Sequence, residues 1–288
     1  MPLVCVKTRT QGSRGKADDK DVSTRPLAAI VPTYLRKQDE LDVLLRCLVS
    51  LKSTAPQAMV LVVDDHSPNR DLVATLEAIV DELGVTVVCK DENTGFAKTV
   101  NVGLEIALAQ GWDAVLVNAD IEFHEHGWLE RMLARTDTQG RPAAVVGARL
   151  LYPQGLIQHA GIYFSLLRRD FFHRFQYGPA DLPEAQHPTR CPVTGALQLI
   201  RWETLDDVGL YDEGFDMACE DVDYCLRVFE AGLECIYEPT ACAIHLESFF
   251  RGGDKRTEQM TKWGMRSLAR LMRKYATTDL SRFTPEPL

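Results

Sequence analysis

Four short apolar runs, LAAIV (27–31), MVLVV (59–63), VTVV (85–88) and DAVLV (113–117), alternate with segments of helical period and leave this chain few folds to choose from. Continuous hydrophobicity, as opposed to strict alternation, suits strands covered on both faces, as in a parallel sheet. Between the runs, Leu41, Leu44, Leu45, Leu48 and Leu51, then Leu72, Leu76, Ile79, Val80 and Leu83, then residues 94–110, set apolar side chains three and four apart. That spacing gathers them on one helix face. Strand followed by helix in this repeated order predicts an α/β fold with a Rossmann-like, doubly wound, mostly parallel sheet. Ligands of such sheets bind beyond the carboxyl ends of the strands.

All four runs turn polar at that end: Pro32-Thr33-Tyr34, Asp64-Asp65-His66-Ser67, Asp91-Glu92-Asn93-Thr94-Gly95 and Asn118-Ala119-Asp120. Any one of these fits a helix cap, but four on one rim predict a pocket. The first turn, VPTYLRKQ (31–38), is neither a G-x-G-x-x-G nucleotide turn nor a P-loop. A diphosphate bound here therefore needs another source of positive charge, and a divalent metal held by acidic side chains supplies it.

With 288 residues and 45% hydrophobic side chains, the chain can bury one substantial core and is expected to form one domain. A net charge of -9 argues against a general affinity for nucleic acid or anionic membranes and leaves room only for a local basic groove. No apolar run nears the roughly 18 residues of a membrane span, and no basic-then-apolar signal opens the chain, so a cytoplasmic protein is expected. The eight cysteines form no C-x-x-C pair and read as reduced core residues. Residues 1–25, poor in apolar side chains from Thr8 on, read as a disordered leader. The domain is expected over 26–276, with a nucleotide half (26–122) and an acceptor-side extension (123–276), before a tail (277–288). In the second half a hairpin is expected within 152–175 and a loop over 178–192. Helices follow near 202–208 and 221–231, then the strand ECIYE (234–238) and an amphipathic helix through Trp263, Leu268, Leu271, Met272 and Tyr275.

Six motifs in order, VVDDHS (62–67), NTGFAKTVNVGL (93–104), VLVNAD (115–120), CPVTGALQLIRWETLDDVGLYDEGF (191–215), EDVDYCLRVFEAG (220–232) and EPTACAIHLES (238–248), resemble glycosyltransferase family 2 on a GT-A fold, including its rhamnosyltransferase-like members. The resemblance runs from Leu27 to about Lys274. It implies a metal-dependent, inverting transfer of a sugar from a nucleotide-diphosphate donor, a UDP- or dTDP-sugar, to an acceptor hydroxyl with Mn or Mg. If the acceptor is lipid-linked, the protein works at the periphery of a membrane. Two rivals stay open: an inactive GT-A domain that binds nucleotide or protein, and a sugar-nucleotide pyrophosphorylase, which VPTYLRKQ disfavours for want of a Gly-rich basic loop.

The resemblance also distributes roles. Asp65, with Thr33 beside it, is expected to read the donor base, and Asn93 and Gly95 to line the nucleotide. Lys98 lies either against phosphate or on a solvated helix face. Asn118-Ala119-Asp120 occupies the D-x-D position, where Asp120 is the metal ligand and Asn118 keeps only an amide hydrogen bond toward the ribose. His245 is the second metal contact. Asp221 is the general base, Glu220 orients the acceptor hydroxyl, and Gly195 and Ala196 line the acceptor side. Arg251 and Lys255 either close over the diphosphate or belong to a solvated loop. Glu122, His124, Glu125 and His126 do not have the H-E-x-x-H spacing of a zinc site and read as helix-start and surface residues.

Overall fold

The computed structural model describes residues 25–136, 142–216, 218–247, 258–283 and 286–287. The expected alternation opens the chain: β1 (Leu27–Thr33), α1 (Gln38–Thr54), β2 (Met59–Asp64), α2 (Arg70–Val80), β3 (Val85–Cys89), α3 (Phe96–Gln110) and β4 (Asp113–Val117). Then come β5 (Ile121–Glu122), α4 (Trp128–Thr136), β6 (Ala143–Leu151), β7 (Ile157–His159), β8 (Ile162–Ser165), β9 (Asp170–His173), β10 (Thr189–Arg190) and β11 (Leu197–Ile200). The chain closes with α5 (Trp202–Val208), α6 (Glu220–Glu230), β12 (Glu234–His245), α7 (Glu258–Lys274) and β13 (Glu286–Pro287).

One sheet runs in the order β13-β10-β12-β6-β11-β4-β1-β2-β3, with β5 on β12 and β7 on β6. Its first half, β3-β2-β1-β4, is wholly parallel. The second half is mixed, since β11 runs antiparallel to both β4 and β6 while β12 is parallel to β6. Two apolar clusters cover the two faces. One holds Val31, Leu41, Leu44, Leu48, Val62 and Val117, and the other Ile30, Leu61, Val63, Val100, Leu104 and Leu116. Continuous apolar runs are thus buried on both sides, with one exception. VTVV forms the edge strand β3, where only Val85 is fully buried, so hydrophobicity there reflects β propensity more than two-sided cover.

Local chemistry sets the element ends. At α1 the Glu40 carboxylate reaches back to the Arg36 and Lys37 N–H groups (2.6 and 3.2 Å), satisfying donors that the helix start leaves open. Asn69, not Asp64 or Asp65, caps α2 by accepting the Leu72 N–H at 3.3 Å, which releases both aspartates for other work. Gly103 lets α3 press onto β1: a Cβ there would come within 2.4 Å of an Ile30 methyl. The expected hairpin is β8–β9, and β7 instead joins β6. Glu122, expected at a helix start, lies in strand β5.

Helix α7 is fastened through charge. Asp212 accepts Arg270 Nη2 on both oxygens at 2.9 Å, Lys274 Nζ at 3.0 Å and the Gly214 N–H at 2.9 Å. Burial alone would raise its carboxyl, but the Gly214 N–H, Arg270 and Lys274 hold it down at about 2. A depressed carboxyl adds stability that is full above the ordinary carboxylate range and is lost as pH falls through the folded value. Asp212→Asn should therefore cost about 1 kcal/mol at neutral pH, after allowance for partial solvent screening. Urea unfolding from neutral pH down to about 2 should show the gap from wild type shrinking over the acid end of that range; a gap that stays constant with pH would contradict this attribution.

Candidate active site

The strand ends converge as expected, and each is organised by its own hydrogen bonds. Asp64 turns into the β2–α2 corner, where Ser67 N–H and hydroxyl bond its carboxylate and the Ser67 oxygen accepts the Leu35 N–H at 2.6 Å. The ends of β1 and β2 are thereby tied together. Asp65 turns the other way. Its Oδ1 accepts Lys90 Nζ at 2.5 Å and the Thr94 N–H at 3.0 Å, and its Oδ2 accepts the Gly95 N–H at 2.9 Å. Lys90, in turn, also donates to the Thr94 and Thr99 hydroxyls. Asp65 thus holds the 93–95 loop in place, and a carboxylate's roughly four acceptor positions leave one on Oδ2 open. Beside it Thr33 is buried, and its hydroxyl makes no hydrogen bond among the described residues.

Gly95 caps α3 with φ +89, and an added Cβ would meet the Asp216 carbonyl at 3.8 Å. The 93–95 loop therefore lies against the segment leading to α6. Asn93 and Lys98 are exposed, and neither contributes to this buried network.

A second group forms around Asp120. Strand β12 runs parallel to β6 through Glu238, loses register between Glu238 and Cys242, where Pro239 cannot donate to the ladder, and resumes. That bulge carries its end onto β5, pairing His245 with Ile121. ECIYE and ACAI are accordingly one strand. His245 Nε2 stands 3.1 Å from Asp120 Oδ1, and its Nδ1 lies 3.0 Å from Gln158 Oε1. With Nδ1–H donated to the Gln158 oxygen, Nε2 turns its lone pair toward a carboxylate oxygen. Two acceptors facing each other at this distance want a cation or a proton between them. The Asn118 amide is 3.5 Å from Nε2. Among the described residues no group of three or more His, Cys, Asp or Glu side chains is arranged to hold a metal.

Gly195, Ala196, Glu220 and Asp221 join the same region. Asn118 N–H donates to the Ala196 carbonyl at 2.8 Å, because β11 pairs Leu197 with Val117. Next to it the Gly195 N–H donates to Asp221 Oδ2 at 3.0 Å, and the Val222 N–H to Asp221 Oδ1 at 2.8 Å. Any side chain at 195 would strike the Tyr211 hydroxyl at 2.9 Å. Just before the acidic pair, Ala218 and Cys219 hold φ of +75 and +67, an uncommon conformation for residues other than glycine and one that gathers at functional sites. Glu220 is buried at the first position of α6. Asp120, His245, Asn118, Ala119, Gly195, Ala196, Glu220 and Asp221 thus come together; Arg251 and Lys255 lie outside the described residues.

Sequence reasoning missed Gln158, Lys90 and Asn101. Gln158 sits in no motif. Lys90 ends a strand and looks like any solvated lysine. Asn101 lies within NTGFAKTVNVGL, and its buried amide bonds the Tyr211 backbone at both ends, 3.0 Å each, stapling α3 to GLYDEGF. The seven described cysteines are free thiols, and burial pushes the Cys191 thiol up to about 12.

Removing Lys90 leaves Asp65 buried without its cation. Lys90→Met should lower stability by about 3 kcal/mol, whereas Lys98→Met should stay within about 0.5 kcal/mol. Urea unfolding of the two variants tests this, and equal losses would refute the assignment of Lys90 to the hub.

The family model for glycosyl transferase family 2 matches residues 28–187. The uncharacterized protein y4gI of Sinorhizobium fredii is 28% identical over 266 residues, 88% of this chain and 28% of that protein. The O-antigen biosynthesis protein RfbC of Myxococcus xanthus is 28% identical over 234 residues, 80% of this chain and 18% of that protein. A shorter stretch, 51 residues covering 18% of this chain and 19% of the other, is 41% identical to rhamnosyltransferase WbbL of Escherichia coli. The chain therefore spans less than a third of the length of these relatives. Among solved structures, GalNAc-T7 with UDP, GalNAc and Mn2+ superposes with a TM-score of 0.64 at 18% identity, over 88% of this chain and 48% of that one. The mannosyltransferase PcManGT of Pyrobaculum calidifontis, in complex with GDP-Man and Mn2+, gives 0.53 at 16% identity, over 90% and 77%. These two likenesses establish the GT-A fold, and with the family match over more than half of its length this chain belongs to glycosyl transferase family 2.

Proposed function

We propose that the protein transfers a sugar, with inversion, from a UDP- or dTDP-sugar to an acceptor hydroxyl. The observation that carries this reading is the convergence of Asp120 Oδ1 and His245 Nε2 beside the loop that holds Asp221. The donor set suits a divalent Mn or Mg ion: one carboxylate oxygen, one imidazole nitrogen fixed in its tautomer by Gln158, and donor oxygens to complete the shell. When bound, such an ion neutralises the diphosphate and makes it a better leaving group.

The chain's own residues do the rest. Asp65 Oδ2, with one acceptor position open, takes a hydrogen bond from the base, while the Thr33 hydroxyl faces the same end of β1. Gly95 lets the loop backbone approach the nucleotide. Asn118 offers its amide to the ribose. Asp221 takes the proton of the acceptor hydroxyl as that oxygen attacks the anomeric carbon. Its two N–H partners, from Gly195 and Val222, fix the carboxylate's direction and leave it room for the proton. Glu220 and the Gly195-Ala196 backbone bound the acceptor position.

Asn118, an amide where a carboxylate would add charge, keeps the inactive-domain alternative in view. Incubating the protein with a panel of nucleotide sugars and acceptors, with product detection by mass spectrometry, separates the two. Asp221→Asn should lower transfer by about a hundredfold or more while UDP or dTDP affinity stays within about threefold; absence of transfer by wild type across the panel would instead support a binding module. Gln158→Leu frees the His245 ring and should weaken Mn affinity about 10- to 100-fold, measured by calorimetry in the presence of UDP. Unchanged Mn affinity would remove Gln158 from this role.

A further inference from the structure

We propose that the tip of the β8–β9 hairpin docks on an anionic lipid surface beside the acceptor side of the site. The tip is a four-residue turn, Leu166-Leu167-Arg168-Arg169, closed by the Arg169 N–H on the Ser165 carbonyl at 2.7 Å and by the Arg168 N–H on the Ser165 hydroxyl at 3.3 Å. This turn holds both leucines outward: Leu166 is 71% exposed and Leu167 is 93% exposed. The hairpin beneath is anchored. Ile162 is buried, and Phe164 and Phe171 pack on the second apolar cluster, while the Tyr163 and Phe172 rings meet at a tilt with Arg168 over the Phe172 ring at 5.4 Å.

Charge and area choose the partner. The chain carries -9 overall, yet residues 162–174 hold three arginines against one aspartate, so this hairpin offers an anionic surface local attraction. Two leucines are far too little for a protein interface, which takes about 800 Å² from each side. Apolar side chains flanked by arginine are, in contrast, what a loop presents to the headgroup boundary, with the chains inserted and the guanidinium groups among the phosphates. The root of the hairpin meets the site. His173 Nδ1 lies 2.8 Å from His159 Nδ1, and His159 Nε2 takes the Gly161 and Thr194 N–H groups at 3.3 and 3.5 Å, one residue from Gly195. A membrane held at the tip is thus linked by one hairpin to the loop at Thr194 and Gly195.

The test needs no donor or acceptor, so it is independent of the transferase chemistry. The full chain is co-sedimented with vesicles of phosphatidylcholine alone and of phosphatidylcholine with one third phosphatidylglycerol. Wild type should bind the anionic vesicles at least about tenfold more tightly, with binding that weakens as salt is added. The double variant Leu166→Asp/Leu167→Asp should lose about tenfold or more of that binding at an unchanged melting temperature. Arg168→Gln/Arg169→Asn, whose asparagine suits the left-handed position, should abolish the preference for anionic lipid. Failure of wild type to bind, or equal binding by the leucine variant, would overturn the proposal. So would a hydrodynamic size that falls in the leucine variant without lipid, which assigns the tip to a second copy of the chain.

Discussion

The backbone pairing of His245 with Ile121 is the contact on which the rest of the site depends. Asp120 precedes Ile121, and its carbonyl accepts the Leu246 N–H at 3.0 Å, so the same ladder sets both side chains at one height on the sheet. The pairing exists because β12 breaks register between Glu238 and Cys242. A strand that stayed in step with β6 would deliver a different residue to this point and turn the imidazole to the other face. Glu238 stabilises the bulge, taking the Thr240 N–H at 2.9 Å and the Arg135 guanidinium. Two side chains 125 residues apart are thus brought together by the backbone hydrogen bonds between β5 and β12.

The arrangement of Gly195 and Asp221 follows from a different constraint, close backbone approach. Gly195 admits Asp221 and Tyr211 to the loop after Cys191-Pro192, and Ala218-Cys219 take left-handed backbone to aim the start of α6 at it. Strain of that kind persists only where neighbours over-determine it. Here the neighbours are Asn101, stapling Tyr211, and Asp223, buried beneath Arg227, Lys274 and the Tyr275 hydroxyl. Two neighbouring carboxylates divide the contacts of this helix: Asp223 fastens α7, and Asp221, two residues earlier, accepts the Gly195 N–H.

Much of this was legible in the residues. The α/β alternation, the rim of polar strand ends and the reduced cysteines follow from hydrophobic period and composition, because short buried strands leave a continuous signature. Asp120, His245, Asp221 and Gly195 were placed by motif resemblance, and the structure brings them to one surface. Chain pattern was silent where long-range pairing decides. Nothing around Pro239 announces that ECIYE and ACAI are one strand, or that Gln158, outside every motif, orients His245. Nor does a lysine at a strand end declare that it will be buried against Asp65. Leu166-Leu167 read as part of a hairpin, and only the turn geometry shows both side chains facing outward.

The central claim is that Asp120 and His245 hold a divalent ion jointly with the donor diphosphate. Electron paramagnetic resonance of Mn2+ with the protein, titrated with UDP or dTDP, tests it most directly. The account predicts weak Mn2+ binding to the protein alone, tightened by the nucleotide, with the tightening lost in Asp120→Ala and in His245→Ala. Nucleotide binding that is indifferent to Mn2+, or a tightening that survives both substitutions, would contradict it.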